Sequence, residues 1–61
     1  MKTMTDIKRF ASDIIEMISE YPAEVRSEAA GEFLEIIRRD EELTTQETQR
    51  LVAILDERGA L

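Results

Sequence analysis

Four glutamates, Glu24, Glu28, Glu32 and Glu35, follow one another at intervals of four, four and three residues, the spacing that sets side chains in a row along one side of an α-helix. Two chemistries are open to such a row. Paired carboxylates can divide the roles of acid and base, but only in a cleft that drives their pKa values apart, and a short helical chain has little room for one. Left in water, the row presents repeated negative charge, which imitates the phosphates of a DNA strand to the basic cleft of a nucleic-acid-binding protein. Like charges at this spacing repel by about 0.2–0.5 kcal/mol per pair, and only Arg39 lies near enough to the row's end to offset it. Asp13, Glu16 and Glu20 extend the negative charge onto the preceding segment. The simpler reading of the same residues is a solvated face that opposes aggregation.

The remaining side chains narrow the chemistry further. The chain has no histidine and no cysteine, which removes the common nucleophile–base pairs, thiolate and imidazole metal ligands, and disulfides. Gly31 and Gly59 are the only glycines, too few for a phosphate-cradling loop, and the acidic residues do not fall at calcium-loop spacing. The expectation is a non-enzymatic protein with no cofactor and no metal. Fourteen acidic against eight basic residues give a net charge of −6, the wrong sign for a phosphate backbone. Beyond Lys2 the basic residues are scattered as Lys8-Arg9, Arg26, Arg38-Arg39, Arg50 and Arg58, without the interleaved aromatics that grip single strands. They read as ion-pair partners, Arg9 with Asp13 among them. Direct contact with nucleic acid is not expected.

These residues have to be positioned by few elements, because 61 residues make one domain whose folding buries only about 60% of the unfolded chain's surface. Apolar residues amount to 43% and recur with helical periodicity, so residues 1–61 are expected to form one compact all-α domain of three helices, at about 5–20, 22–40 and 45–58. The first carries Ile7, Phe10, Ala11, Ile14, Ile18 and Tyr21 in a stripe, with Thr3 or Thr5 as its cap and Asp6 against its positive end. Ile15 and Met17 widen the stripe, as contact with two neighbouring helices would require. Pro22 lacks the amide needed to continue that helix and suits the first position of the next. The second helix draws its apolar arc from Val25, Ala29, Ala30, Phe33, Leu34, Ile36 and Ile37. Its small segment Ser27 to Gly31 marks either a close helix crossing or a kink, since glycine costs about 1 kcal/mol in a helix interior. In the third, Thr44 and Glu47 form a capping box, Leu51, Val52, Ile54 and Leu55 supply the buried side, and Gly59 ends the helix.

The second and third helices also have the order of a helix-turn-helix module, but the exposed face of the third would carry Gln46, Gln49, Arg50 and Glu57, a poor set for reading base edges. Apolar surplus is the stronger surface signal. Ile15, Met17, Ala30, Leu34, Ile36, Ile54 and Leu61 exceed what three short helices readily hide, and two-fold pairing is the commonest way to cover such a surplus. The expected partner is therefore a second copy, in a homodimer or higher oligomer, together with an unidentified protein partner that the helical surfaces bind in a regulatory role. The alternative is a DNA-mimicking inhibitor of a basic nucleic-acid-binding protein, of the kind found among phage and plasmid accessory proteins. No segment approaches the ~20 apolar residues of a membrane span, and the first residues lack a signal-peptide core, so no membrane association and a cytoplasmic location are expected.

Overall fold

Thr3 starts the first helix with a reciprocal pair of hydrogen bonds: its Oγ1 accepts the Asp6 amide at 3.1 Å, and Asp6 Oδ2 accepts the Thr3 amide at 3.1 Å. This capping box satisfies two amides that a helix start leaves free, and it selects Thr3 over Thr5. The structure, a computed structural model, describes residues 2–61. Its elements are α1 (Met4–Ile18), a 3-10 turn (Ala23–Val25), α2 (Arg26–Asp40) and α3 (Thr45–Glu57). The all-helical expectation holds; α2 ends at Asp40 and α3 starts at Thr45 as expected, and the other boundaries shift by one to four residues.

α1 stops at Ile18 rather than 20. Its last turn tightens, with the Tyr21 amide donating to the Ile18 carbonyl at 2.9 Å, because Pro22 disfavours helical geometry at the residue before it. Arg26 reaches back and takes two of the carbonyls left without helical partners, Nε to Tyr21 O at 2.9 Å and Nη2 to Ser19 O at 3.3 Å. Pro22 does not open α2. Its ψ of 146° is extended, and Val25, at φ −113° and ψ 2°, is not helical either. A 3-10 turn therefore separates the proline from α2, which begins four residues later than the spacing alone implied.

The corner between α2 and α3 is a Schellman closure. The Leu43 amide donates to Arg38 O at 3.0 Å and the Glu42 amide to Arg39 O at 3.3 Å, while Leu43 turns inward and is buried. Glu42 holds the left-handed conformation this motif requires, at φ 53°. The end of α3 repeats the device with a residue suited to it: Gly59 has φ 75°, Ala60 N donates to Leu55 O at 2.8 Å, and Ala60 is buried.

α1 packs against both α2 and α3, whereas the latter two touch each other little. This explains the width of the α1 stripe. Ile7, Ile14, Leu51 and Leu55 are the large side chains most completely withdrawn from water, and Ala11 and Ala30 are withdrawn with them. The Cα radius of gyration, 10.7 Å, is close to the roughly 10.5 Å of a folded chain of this length. Two ties close the ends: Arg58 Nη1 donates to Ser12 Oγ at 3.1 Å, and the Lys2 amide donates to Glu47 Oε2 at 2.8 Å.

Gly31 proves to be neither a close crossing nor a kink. α2 runs through it uninterrupted, and a methyl group placed there would meet nothing within 4 Å. Two residues expected at a contact with a second chain also need relocating. Ala30 is fully buried and Leu34 is 9% exposed, so both spend their surface on the chain's own core. Ile15 and Ile54 are half-buried and pack against that core.

Candidate interaction surface

The glutamate row is shorter than its spacing implied. Glu28, Glu32 and Glu35 lie on α2 and are exposed, but Glu24 belongs to the 3-10 turn, outside the helix. The ion pair at the row's end also differs. Glu35 Oε2 accepts Arg38 Nη2 at 2.9 Å and Nε at 3.3 Å, so Arg38, not Arg39, is the partner. That hydrogen bonding, followed by the guanidinium's charge, lowers the Glu35 carboxyl below its ordinary value. Arg9, expected to pair with Asp13, sits 3.5 Å from Asp6 instead. Glu28 and Glu32 are thus the members of the row on α2 without an ion-pair partner among the described residues, as is Asp40 at the helix end.

A second group of carboxylates gathers where the N-terminal residues meet the α2–α3 corner. Lys2, Glu41, Glu42, Thr44 and Glu47 line an open cleft of about 450 Å³. Glu47 is the chain's one buried charged side chain among the described residues. Its Oε1 accepts the Thr44 amide at 2.9 Å and its Oε2 the Lys2 amide at 2.8 Å. These two bonds, Thr44 first, lower its carboxyl below the ordinary 4.5. Lys2 Nζ pairs with Glu41 at 3.0 Å, which raises the lysine above its ordinary value. A carboxyl stabilised in its charged form is a poor proton donor near neutrality, and this group is committed to holding the chain's two halves together.

A smaller hollow of about 250 Å³ lies across the corner, lined by Arg38, Leu43, Thr45, Thr48 and Gln49. Arg38 is engaged with Glu35, and Thr48 Oγ1 donates to Thr44 O at 2.9 Å. Neither recess brings a nucleophile beside a base. Among the described residues no buried side-chain polar atom lacks a hydrogen-bond partner, so no orphaned group points to a missing ligand.

Part of what stays in water is apolar. Met4, Met17, Tyr21, Val25, Ile36 and Leu61 are exposed large hydrophobic side chains, Ile36 the most at 49%. Met17, Ile36 and Leu61 were expected at an interface from the sequence. Tyr21 and Val25 were assigned to helix stripes; Tyr21 lies past the end of α1 and Val25 in the 3-10 turn before α2, and both reach the surface. Tyr21 stacks edge-on to the half-buried Phe33, ring centres 6.1 Å apart and planes at 81°. Phe33 packs partly against the core while Ile36 lies further out on α2, and Arg9 lies over the Phe10 ring at 5.9 Å on α1.

Comparison with known proteins supplies no relative: no family model, no curated protein and no solved structure matches the chain.

Proposed function

We propose that this chain is a small, acidic, non-enzymatic protein-interaction module that self-associates and acts by presenting helical surfaces to another protein. The observation that carries the reading is the exposed apolar set, with Ile36 in the middle of α2 as its clearest member. Scattered exposed hydrophobics are ordinary on a large protein. A chain of 61 residues is different, because one thin core rarely supplies more than about 3–5 kcal/mol and assembly is the remaining source of stability once disulfides and metals are absent.

The same geometry lowers the standing of the DNA-mimic reading. Mimicry asks for a run of free carboxylates, and here Glu24 leaves the helix and Glu35 is neutralised by Arg38. Glu28 and Glu32 alone make a short strip. The discriminating experiment is binding to an immobilised basic DNA-binding protein across a salt series, beside a measurement of solution mass. A mass above one chain, with no salt-sensitive binding to the basic protein, supports the interaction module. A 7.0 kDa species that binds the basic protein and loses binding on Glu28→Gln plus Glu32→Gln supports the mimic.

A further inference from the structure

The exposed centre of α2 is flanked by two unpaired charges of opposite sign. Ile36 is 49% exposed. Glu32 lies one turn before it and Arg39 one turn after, both exposed, and neither has an ion-pair partner among the described residues. They cannot satisfy each other within one helix, since seven residues separate them by about 10.5 Å along its axis. On the helical wheel Glu32 falls about 40° and Arg39 about 60° to the same side of Ile36. Phe33 and Asp40 fall on the other side, towards α1.

From this arrangement we infer that α2 is a two-fold docking face for a second copy of the same chain, crossing antiparallel beside Ile36, with Glu32 of each copy paired to Arg39 of the other. This inference rests on the self-association proposed above and specifies its geometry. An antiparallel pair related by a two-fold axis sets residues of the same flank opposite each other. With the axis level with the middle of the 32–39 interval, Glu32 comes level with the second copy's Arg39, and the two Ile36 side chains meet within about one residue rise, 1.5 Å. Both Glu32–Arg39 pairs form at once. Asp40, on the opposite flank, meets the level between the second copy's Ala29 and Phe33; Glu35, about 100° from Ile36 on the charged flank, comes level with its own copy but lies further from the crossing line, and each Glu35 is held by its own Arg38. A parallel two-fold pairing would set opposite flanks together, Arg39 beside the second copy's Asp40 and Glu32 beside its Phe33, and would leave both Glu32 carboxylates without a partner, whereas the antiparallel crossing engages Glu32 and Arg39 alike.

The size of the face sets the strength. A stable interface takes about 800 Å² from each partner, close to a fifth of this chain's 4267 Å². One helix flank gives less, so association is weak and concentration-dependent. Glu32, Ile36 and Arg39 are exposed, and substituting them leaves the core untouched.

The test is the dimer dissociation constant from sedimentation equilibrium for the wild type, Glu32→Arg, Arg39→Glu, the double exchange Glu32→Arg/Arg39→Glu, and Ile36→Asp, with far-ultraviolet circular dichroism confirming that each is folded. Each single exchange turns two attractive pairs into two repulsive ones and weakens association by about tenfold or more. The double exchange restores it, and Ile36→Asp abolishes it. If the wild type associates but the single exchanges leave the constant unchanged, or the double exchange fails to rescue, the antiparallel Glu32–Arg39 pairing on α2 is wrong while self-association stands. If the wild type remains a single chain throughout, both the inference and the self-association beneath it fail.

Discussion

Glu47 reaches across 45 residues of sequence to Lys2, accepting its backbone amide at 2.8 Å on one carboxylate oxygen while the other oxygen accepts the Thr44 amide. One side chain thereby caps α3 and anchors the start of the chain. Both bonds favour the ionised carboxyl and lower its pKa from 4.5. A carboxyl whose folded pKa is depressed adds stability above its unfolded pKa, and that stability is lost as pH falls through the folded value. Glu47→Gln should therefore be less stable than wild type at neutral pH, with the gap closing as the pH drops below 4.5. Asp6 and Glu35 are lowered in the same sense, so the variant keeps some acid sensitivity. Urea midpoints measured across pH check this, and parallel profiles would contradict it.

Glu42 occupies the left-handed region at φ 53° with a side chain that gains nothing from being there. Glu42→Gly should raise stability by about 0.5–1 kcal/mol, the relief of the Cβ clash less the extra freedom glycine brings to the unfolded chain. Gly59→Ala, at φ 75°, should lower it by about 1 kcal/mol. Thermal or urea unfolding of the two variants must move in opposite directions.

Gly31→Ala is expected to stabilise by about 1 kcal/mol, the helix-propensity difference alone, because a methyl group there meets nothing within 4 Å. Gly31 projects from the far side of α2 from Ile36, so the substitution should leave self-association unchanged. A loss of stability would show that the backbone at Gly31 is needed by a neighbour.

Removing side chain from the centre should be decisive. Leu51 and Leu55 are fully buried, and truncating a buried leucine to alanine costs about 2–5 kcal/mol. That equals the whole stability expected of so small a core, about 3–5 kcal/mol. Leu55→Ala should be largely unfolded at 25 °C by circular dichroism, whereas Thr44→Ala, which removes a cap worth about 0.5–2 kcal/mol, should remain folded with a lower midpoint.

Much of this was legible in the order of residues. Periodicity placed the three helices, the Thr44–Glu47 spacing marked the start of α3, and Gly59 marked its end. The misreadings share a cause: they concern choices among partners that only the folded chain brings together. Asp6, not Asp13, meets Arg9, and Arg38, not Arg39, meets Glu35, because three-residue and four-residue neighbours are equally spaced on a helix surface. The left-handed residue at the α2 end is a glutamate, which carries none of the signal a glycine would. Ala30 and Leu34 were assigned outward because the sequence does not tell which flank of α2 meets α1. The Lys2–Glu47 tie joins residues 45 apart in sequence, and no spacing rule reaches that far. Ile36 shows the reverse case, an apolar residue expected at an interface that the fold leaves in water.

Whether this chain works as an associating surface is decided by its solution mass over a concentration series, measured by light scattering or sedimentation. The expected mass rises from 7.0 kDa towards twice that value as concentration increases. A mass that stays at 7.0 kDa over the whole series would contradict it.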